Sequence, residues 1–205
     1  MNVISASVKK GRKFAQVLDG ARQVFMADGF EGASVDTIAR QAGVSKATLY
    51  SYFPDKRLLF MEVARNECGR QAEAAAASVD MSNPPAEVLT EAATQMLRFF
   101  LSGFGQRVFR ICVAESDRFP ELGQQFYESG PAVVQAVLMR YFDLAIGRGE
   151  LMIDDKELAA HQFSELCKSY LFPRIIFGVQ TEFSEAEITR VINGAVDVFL
   201  ARYGA

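Results

Sequence analysis

Ser34-Val-Asp-Thr-Ile-Ala-Arg-Gln-Ala-Gly-Val-Ser-Lys-Ala-Thr-Leu-Tyr-Ser-Tyr-Phe53 is the stretch that decides how this chain is read. Two short apolar-periodic segments meet there across a glycine. Ser34 can cap a helix over Val35 to Ala42, which Gly43 ends, and Ser45 can cap a second over about Ser45 to Tyr52. Two helices that cross steeply need a small residue at the contact and a turn that glycine can adopt. Ala39 is small where the second helix must approach, Gly43 holds the turn, and Leu49 returns to share a core with Ile38 and Val44. The residues left facing outward on the second helix are Lys46, Ala47, Thr48 and Tyr50, a compact polar face of the size that enters a major groove. The spacing alone also fits a plain helix-loop-helix inside a bundle.

Working outward, punctuation divides the rest into helices, for about nine in all and an all-α fold. The first runs from about Lys10 to Ala27, with Phe14, Val17, Leu18, Ala21, Val24 and Phe25 at helical spacing and Gly29 as a left-handed stop. Phe53-Pro54-Asp55 breaks the chain, and Asp55 caps a long helix from Lys56 towards Ser78. Asn83-Pro84-Pro85 opens another, to about Ser102. Gly103 and Gly105 mark a bend before a helix over roughly Gln106 to Glu115. After a break at Ser116 to Pro120, a long helix occupies about Glu121 to Ile146, kinked near Gly130-Pro131. Asp154-Asp155-Lys156-Glu157 starts a helix that bends or ends near Pro173, and Ser184-x-x-Glu187 is a capping box for the last, about Glu185 to Tyr203. Phe25, Phe30, Phe53 and Phe60 are assigned to core.

Charge is distributed unevenly. The chain carries −3 overall, but residues 1–57 hold nine Lys or Arg against five Asp or Glu, leaving an acidic remainder. A basic head on an acidic body suits a head that meets a polyanion. MNVISASVKKGRKF has charge with no apolar core behind it, so it does not read as a secretory signal. No apolar run approaches the roughly 18 residues of a membrane span. Cys68, Cys112 and Cys167 are odd in number and lack metal-ligand spacing, so they read as buried free thiols in a reducing compartment, with a cytoplasmic location expected. One histidine, no paired-carboxylate motif, no glycine-rich phosphate loop and no nucleophile elbow leave no assembled acid-base chemistry, so no enzyme, metal or cofactor is expected.

The stretch Ala27-Asp-Gly-Phe-Glu-Gly-Ala-Ser-Val-Asp-Thr-Ile-Ala-Arg-Gln-Ala-Gly-Val-Ser-Lys-Ala-Thr-Leu-Tyr-Ser-Tyr-Phe-Pro-Asp-Lys-Arg-Leu-Leu-Phe60 resembles, without a gap, the N-terminal signature of the tetracycline-repressor (TetR) family. The resemblance implies a helix-turn-helix DNA-binding domain over residues 1–56 and a helical ligand-binding and dimerisation domain over 57–205. It implies that the recognition helix starts at Ser45, that Lys46, Ala47 and Thr48 approach base edges, and that Tyr50 and Tyr52 hold phosphates through their hydroxyls. Lys56 and Ser34 are further phosphate candidates. These are the groups that phosphate oxygens bind. Ala47 stands where many relatives have Gly, and Tyr52 where His is common, which puts those two contacts in doubt. Phe119-Pro-Glu-Leu-Gly-Gln-Gln-Phe-Tyr-Glu-Ser-Gly-Pro131 and Gly147-Arg-Gly-Glu-Leu-Met-Ile-Asp-Asp155 look like the AefR-like C-terminal subgroup.

The last two predicted helices present broad apolar stripes. Phe163, Leu166 and Tyr170 lie on one, and Ile188, Val191, Ile192, Ala195 and Phe199 on the other. In the family such helices pair with their symmetry mates, so the resemblance implies a homodimer built on these residues. A pocket for a small apolar or aromatic effector is expected among Phe99, Phe104, Phe109, Phe126, Phe142, Phe163 and Cys167, with Arg110 and Gln162 as polar anchors; the lone His161 reads as a surface or interface residue. The long helix from Lys56 would connect head to body. The expected function is a DNA-binding transcriptional regulator, a repressor by family precedent, released from a palindromic operator on double-stranded DNA by that effector. The alternatives are an activator and an effector-independent DNA-binding protein of the same fold.

Overall fold

The computed structural model describes residues 11–117 and 119–205, with the side chains of Ala76 and Leu122 left aside. The N-terminal stretch read above as lacking a secretory core lies partly outside these residues, as does the expected helix start at Lys10. Among the described residues eleven helices follow in order: α1 (Arg12–Gly32), α2 (Val35–Gln41), α3 (Lys46–Tyr52), α4 (Lys56–Ser78), α5 (Pro85–Leu101), α6 (Gly103–Glu115), α7 (Pro120–Ser129), α8 (Pro131–Gly147), α9 (Lys156–Lys168), α10 (Leu171–Ile176) and α11 (Glu185–Tyr203). The only extended pairing described is one antiparallel bridge between Leu151 and Gly204. No helix among the described residues is long and apolar enough to cross a membrane.

The count exceeds nine because two expected kinks are full breaks. Pro131 has no N–H to donate and its ring crowds the preceding turn, so the run from Glu121 divides into α7 and α8 across Gly130. Pro173 falls in the first turn of α10, where its missing N–H is tolerated, and a separate short helix forms after α9. In α1 the helical geometry stops at Gly29, whose φ is 69° and ψ 179°, and one further turn follows.

Local signals written in the sequence set most helix starts. Ser34, Ser45 and Asp155 each accept a hydrogen bond from the backbone N–H three residues on, and Asp55 accepts from Arg57 N at 2.8 Å. Ser184 and Glu187 form a reciprocal capping box, whose N–H and hydroxyl donors hold the Glu187 carboxyl below its ordinary value.

The chain divides into two compact units between Glu67 and Cys68, within α4. In the first, Val17, Ala21, Val24 and Phe25 of α1 are buried with Ile38, Ala39 and Ala42 from the second segment, and Leu49 from α3. Phe25, Phe30 and Phe60 meet as a ring cluster, and Phe14 stacks on Phe53 at 5.5 Å. In the second, α11 packs on α5 and α9, α8 packs on α7 and α9, and α10 touches α5, α6 and α9. Its core centres on Leu89, Leu97, Tyr141, Phe142, Phe163 and Phe199.

At Gly20, α1 comes up against the end of α2: a Cβ there would lie 2.7 Å from backbone atoms of Ala42. Backbone on both sides leaves nothing flexible to yield. We expect Gly20→Ala to lower the stability of the first unit by about 1–3 kcal/mol, as overpacking does. Gly69→Ala, at a helical position with no heavy atom within 4 Å, should instead raise stability by up to about 1 kcal/mol. Urea melts of both variants check this; equal behaviour would mean that α1 and α2 do not approach as described.

Candidate functional site

Gly43 lets α2 and α3 turn on each other. Its φ is 65°, and Val44 N donates to Ala39 O at 3.0 Å while Gly43 N donates to Arg40 O at 3.2 Å. This bond pair satisfies carbonyls that the end of α2 would otherwise leave open, and it requires a left-handed residue between them. Leu49, fully buried, then draws α3 down onto Ile38 and Ala39.

With Leu49 inward, Lys46, Ala47 and Tyr50 are exposed and Thr48 is half-buried. Ser45 is exposed, and its hydroxyl both caps α3 through Thr48 N at 3.1 Å and pairs with the Thr48 hydroxyl at 2.9 Å. Ser34 repeats the arrangement with Thr37 at the start of α2. Tyr52 is half-buried, its ring edge-on to Phe14 at 5.6 Å. Of the expected base-facing and phosphate-facing residues from Ser34 to Tyr52, Ser34, Ser45, Lys46, Ala47 and Tyr50 are thus exposed, with Ser34 and Ser45 held in place as helix caps. Lys46 is also ion-paired with Asp36 in the first turn of α2. Both side chains are more than half exposed, so the pair is weak and water or DNA can compete for the ammonium. Sequence reading had no signal for this partner: Asp36 looks there like an ordinary first-turn acid.

Lys56 is placed differently from the others. Its ammonium donates to Phe30 O at 2.9 Å and Ala33 O at 3.0 Å, inside the first unit.

The expected effector residues separate into three groups. Phe142, Phe163 and Cys167 are fully buried in the closed core of the second unit. Gln162 is exposed, accepting a hydrogen bond from the Tyr203 hydroxyl at 2.6 Å. Phe99, Phe104, Phe109 and Phe126 are half-buried. Around two of these a ring cluster forms: Phe99 meets Phe100 at 5.8 Å, Phe100 meets Phe172 at 5.3 Å, and Phe172 meets Phe109 at 4.8 Å. Lys168 stands 5.6 Å from the Phe100 ring and 5.8 Å from Phe172, and Arg110 donates to Ile175 O at 2.8 Å. Phe172 and Lys168 were not singled out from sequence, because the Pro173 break obscures which way that segment faces.

The expected dimer residues also sort by burial. Phe163, Val191, Ile192, Ala195 and Phe199 lie in the chain's own core, so their surface is already covered. Leu166 and Ile188 are half-buried against that core, and Tyr170 is flanked by the guanidinium groups of Arg174 and Arg190 at 4.1 and 4.5 Å. The apolar surface that α9 and α11 leave outside is an open groove of about 600 Å³, lined by Leu158, His161, Gln162, Leu166, Val198 and Tyr203 among others. Leu158 and Val198 are 51% and 55% exposed. His161, on its edge, accepts at Nδ1 from Gln135 at 2.6 Å when that nitrogen is unprotonated.

None of the three cysteines is disulfide-bonded, and all three are buried. Burial pushes Cys112 and Cys167 from an ordinary 9.0 up to about 12, with Cys68 adding to the effect at Cys112, so both thiols stay protonated and weakly nucleophilic. Among the described residues no cluster of acidic, His or Cys side chains could hold a metal ion.

The model for bacterial regulatory proteins of the tetR family matches residues 17–63, and that for the AefR-like transcriptional repressor C-terminal domain matches residues 87–205. The second match alone covers more than half of the chain. The chain belongs to the TetR family. It is a DNA-binding transcriptional regulator, and the family is one of regulators rather than enzymes. The HTH-type transcriptional repressor AcnR of Corynebacterium glutamicum is 23% identical over 193 residues, spanning 94% of this chain and 97% of that protein. A TetR-family transcriptional regulator from Mesorhizobium loti has the same fold at a TM-score of 0.75 and 26% identity, covering 96% of this chain and 99% of its own. The flavonoid-responsive regulator FrrA matches at a TM-score of 0.68 and 34% identity, with 95% and 98% covered.

Proposed function

We propose that this TetR-family chain is a homodimeric repressor, that its two α3 helices read a palindromic operator, and that a small, mostly apolar aromatic effector releases it. The observation that carries this reading is the exposed face of Lys46, Ala47 and Tyr50 on a helix fixed by the Ser45 cap and the buried Leu49. Lys46, Ala47 and Thr48 face the base edges; Tyr50, Tyr52, Ser45 and Ser34 face phosphates. Three buried cysteines without a disulfide suit a reducing compartment such as the cytoplasm.

A second copy fills the groove between α9 and α11. Leu158 and Val198 there are large, apolar and half exposed, a costly surface to leave in water. The effector lodges at the half-buried rings of Phe99, Phe100, Phe109 and Phe172, where Lys168 and Arg110 supply cationic anchors for a polar or anionic substituent. Phe142, Phe163 and Cys167 form the floor beneath it rather than its contacts. Similarity to a flavonoid-responsive regulator supports an aromatic ligand of this kind. Binding there tilts α4, which is continuous across the division between the two units, and a recognition helix displaced by a few ångströms loses register with its groove.

Three outcomes are expected. Lys46→Ala and Tyr50→Phe each weaken binding to a duplex selected from a random pool, by about tenfold, with melting temperature unchanged; if Lys46→Ala keeps both affinity and sequence preference, the base-facing assignment is wrong. Leu158→Asp, a substitution on the surface, converts a dimer into a folded monomer in sedimentation, and a parent protein that is already monomeric at micromolar concentration contradicts the dimer. Flavonoids titrated calorimetrically with and without saturating operator bind more weakly in its presence, by the factor by which they weaken the operator, about 5–150-fold. Equal affinity in both titrations removes the effector-release mechanism.

A further inference from the structure

Lys56 opens α4, and its ammonium is already engaged. It donates to the carbonyls of Phe30 and Ala33, 26 and 23 residues earlier in the chain, and stands 4.4 Å from the centre of the Phe30 ring. Hydrogen bonds from an ionised donor are stronger than neutral ones, and a cation over an aromatic face adds to them. The side chain is half-buried, so water screens these contacts only partly.

The segment it grips needs a donor. Gly29 leaves helical geometry, so the connection from α1 to α2 no longer repeats the intrahelical bonding pattern, and its carbonyls must find partners elsewhere. Ala33 is buried and immediately precedes Ser34, the residue whose hydroxyl caps α2. Phe30 is held in turn by Phe25 at 6.1 Å and Phe60 at 5.2 Å. One ammonium therefore ties the first turn of α4 to the aromatic cluster on one side and to the start of α2 on the other.

We propose that Lys56 is a positioning residue of the DNA-reading unit, a clasp that fixes the start of α2 and acts on operator binding through that placement rather than as a phosphate ligand. This rests on the reading of α2 and α3 as the DNA-reading pair. It also gives α4 a handle: a shift of its first turn is passed through two hydrogen bonds to the segment that leads into α2. A phosphate contact by the same ammonium would have to give up bonds that the free protein already makes.

The two roles differ in the absence of DNA. Lys56→Met keeps the stem but removes the charge and all three donors; Lys56→Gln keeps two N–H donors without charge. Amide hydrogen exchange in the DNA-free protein should accelerate about tenfold across residues 29–38 in Lys56→Met, with less change in Lys56→Gln and none in α9 or α11. Affinity for a duplex selected from a random pool by the parent protein should fall about tenfold in Lys56→Met and less in Lys56→Gln, while the slope of log affinity against log salt stays unchanged in both. A slope reduced by about one unit overturns the proposal, because that is the loss of a phosphate contact. Unchanged exchange across residues 29–38 overturns it equally. If Lys56→Met does not fold, Lys56→Gln decides by the same two readings. If the parent selects no duplex, the DNA-reading assignment fails, while the exchange measurement still tests the clasp.

Discussion

The approach of α1 to the end of α2 at Gly20 and Ala42 sets where the outer face of α3 can point. With no side chain at Gly20, the α2 backbone comes within a distance that any Cβ would forbid. Ile38 and Ala39 are then pressed into the stripe formed by Val17, Ala21 and Val24, and Leu49 has one place left to go. Once Leu49 is buried, helical geometry turns Ala47 to the opposite side of α3, and Lys46 and Tyr50, which flank that side, are exposed. The reading face follows from a packing constraint on its opposite side.

The second unit shows the same economy with a different division of labour. Its largest fully buried side chains, Tyr141, Phe142, Phe163 and Phe199, lie in the core shared by α5, α8, α9 and α11. Other aromatic residues are only half covered, in the edge-to-face cluster of Phe99, Phe100, Phe109 and Phe172. A closed core gives stability and little adaptability, and the proposed effector site draws instead on these half-covered rings, with Lys168 beside Phe100 and Phe172.

Much of this was legible in the sequence because it is local. Ser34, Ser45, Asp155 and Ser184 announce helix starts through a hydroxyl or carboxylate that reaches three residues along the chain, and Gly43 announces a turn through its own φ. What escaped depends on contacts between distant residues. Pro131 could be placed at a kink but not judged a full break, since that depends on how α7 and α8 pack. The stripe of Val191, Ile192 and Ala195 read as an interface because an apolar face looks the same whether its partner is α5 of the same chain or another copy. Leu158 and Val198 belong to the same apolar pattern in the sequence, which does not show that these two stay exposed while Val191 and Ile192 are covered. Lys56 carried the charge expected of a phosphate ligand, and only the folded chain shows where that charge points.

The account stands or falls on symmetric sequence-specific DNA binding by the α2–α3 face. Selection of duplexes from a random pool, followed by footprinting of the parent protein on the enriched sequence, measures it directly. The account predicts an inverted repeat with both half-sites protected and their centres about 35 Å apart or somewhat more. Failure to enrich any sequence, or protection of a single asymmetric site, contradicts it.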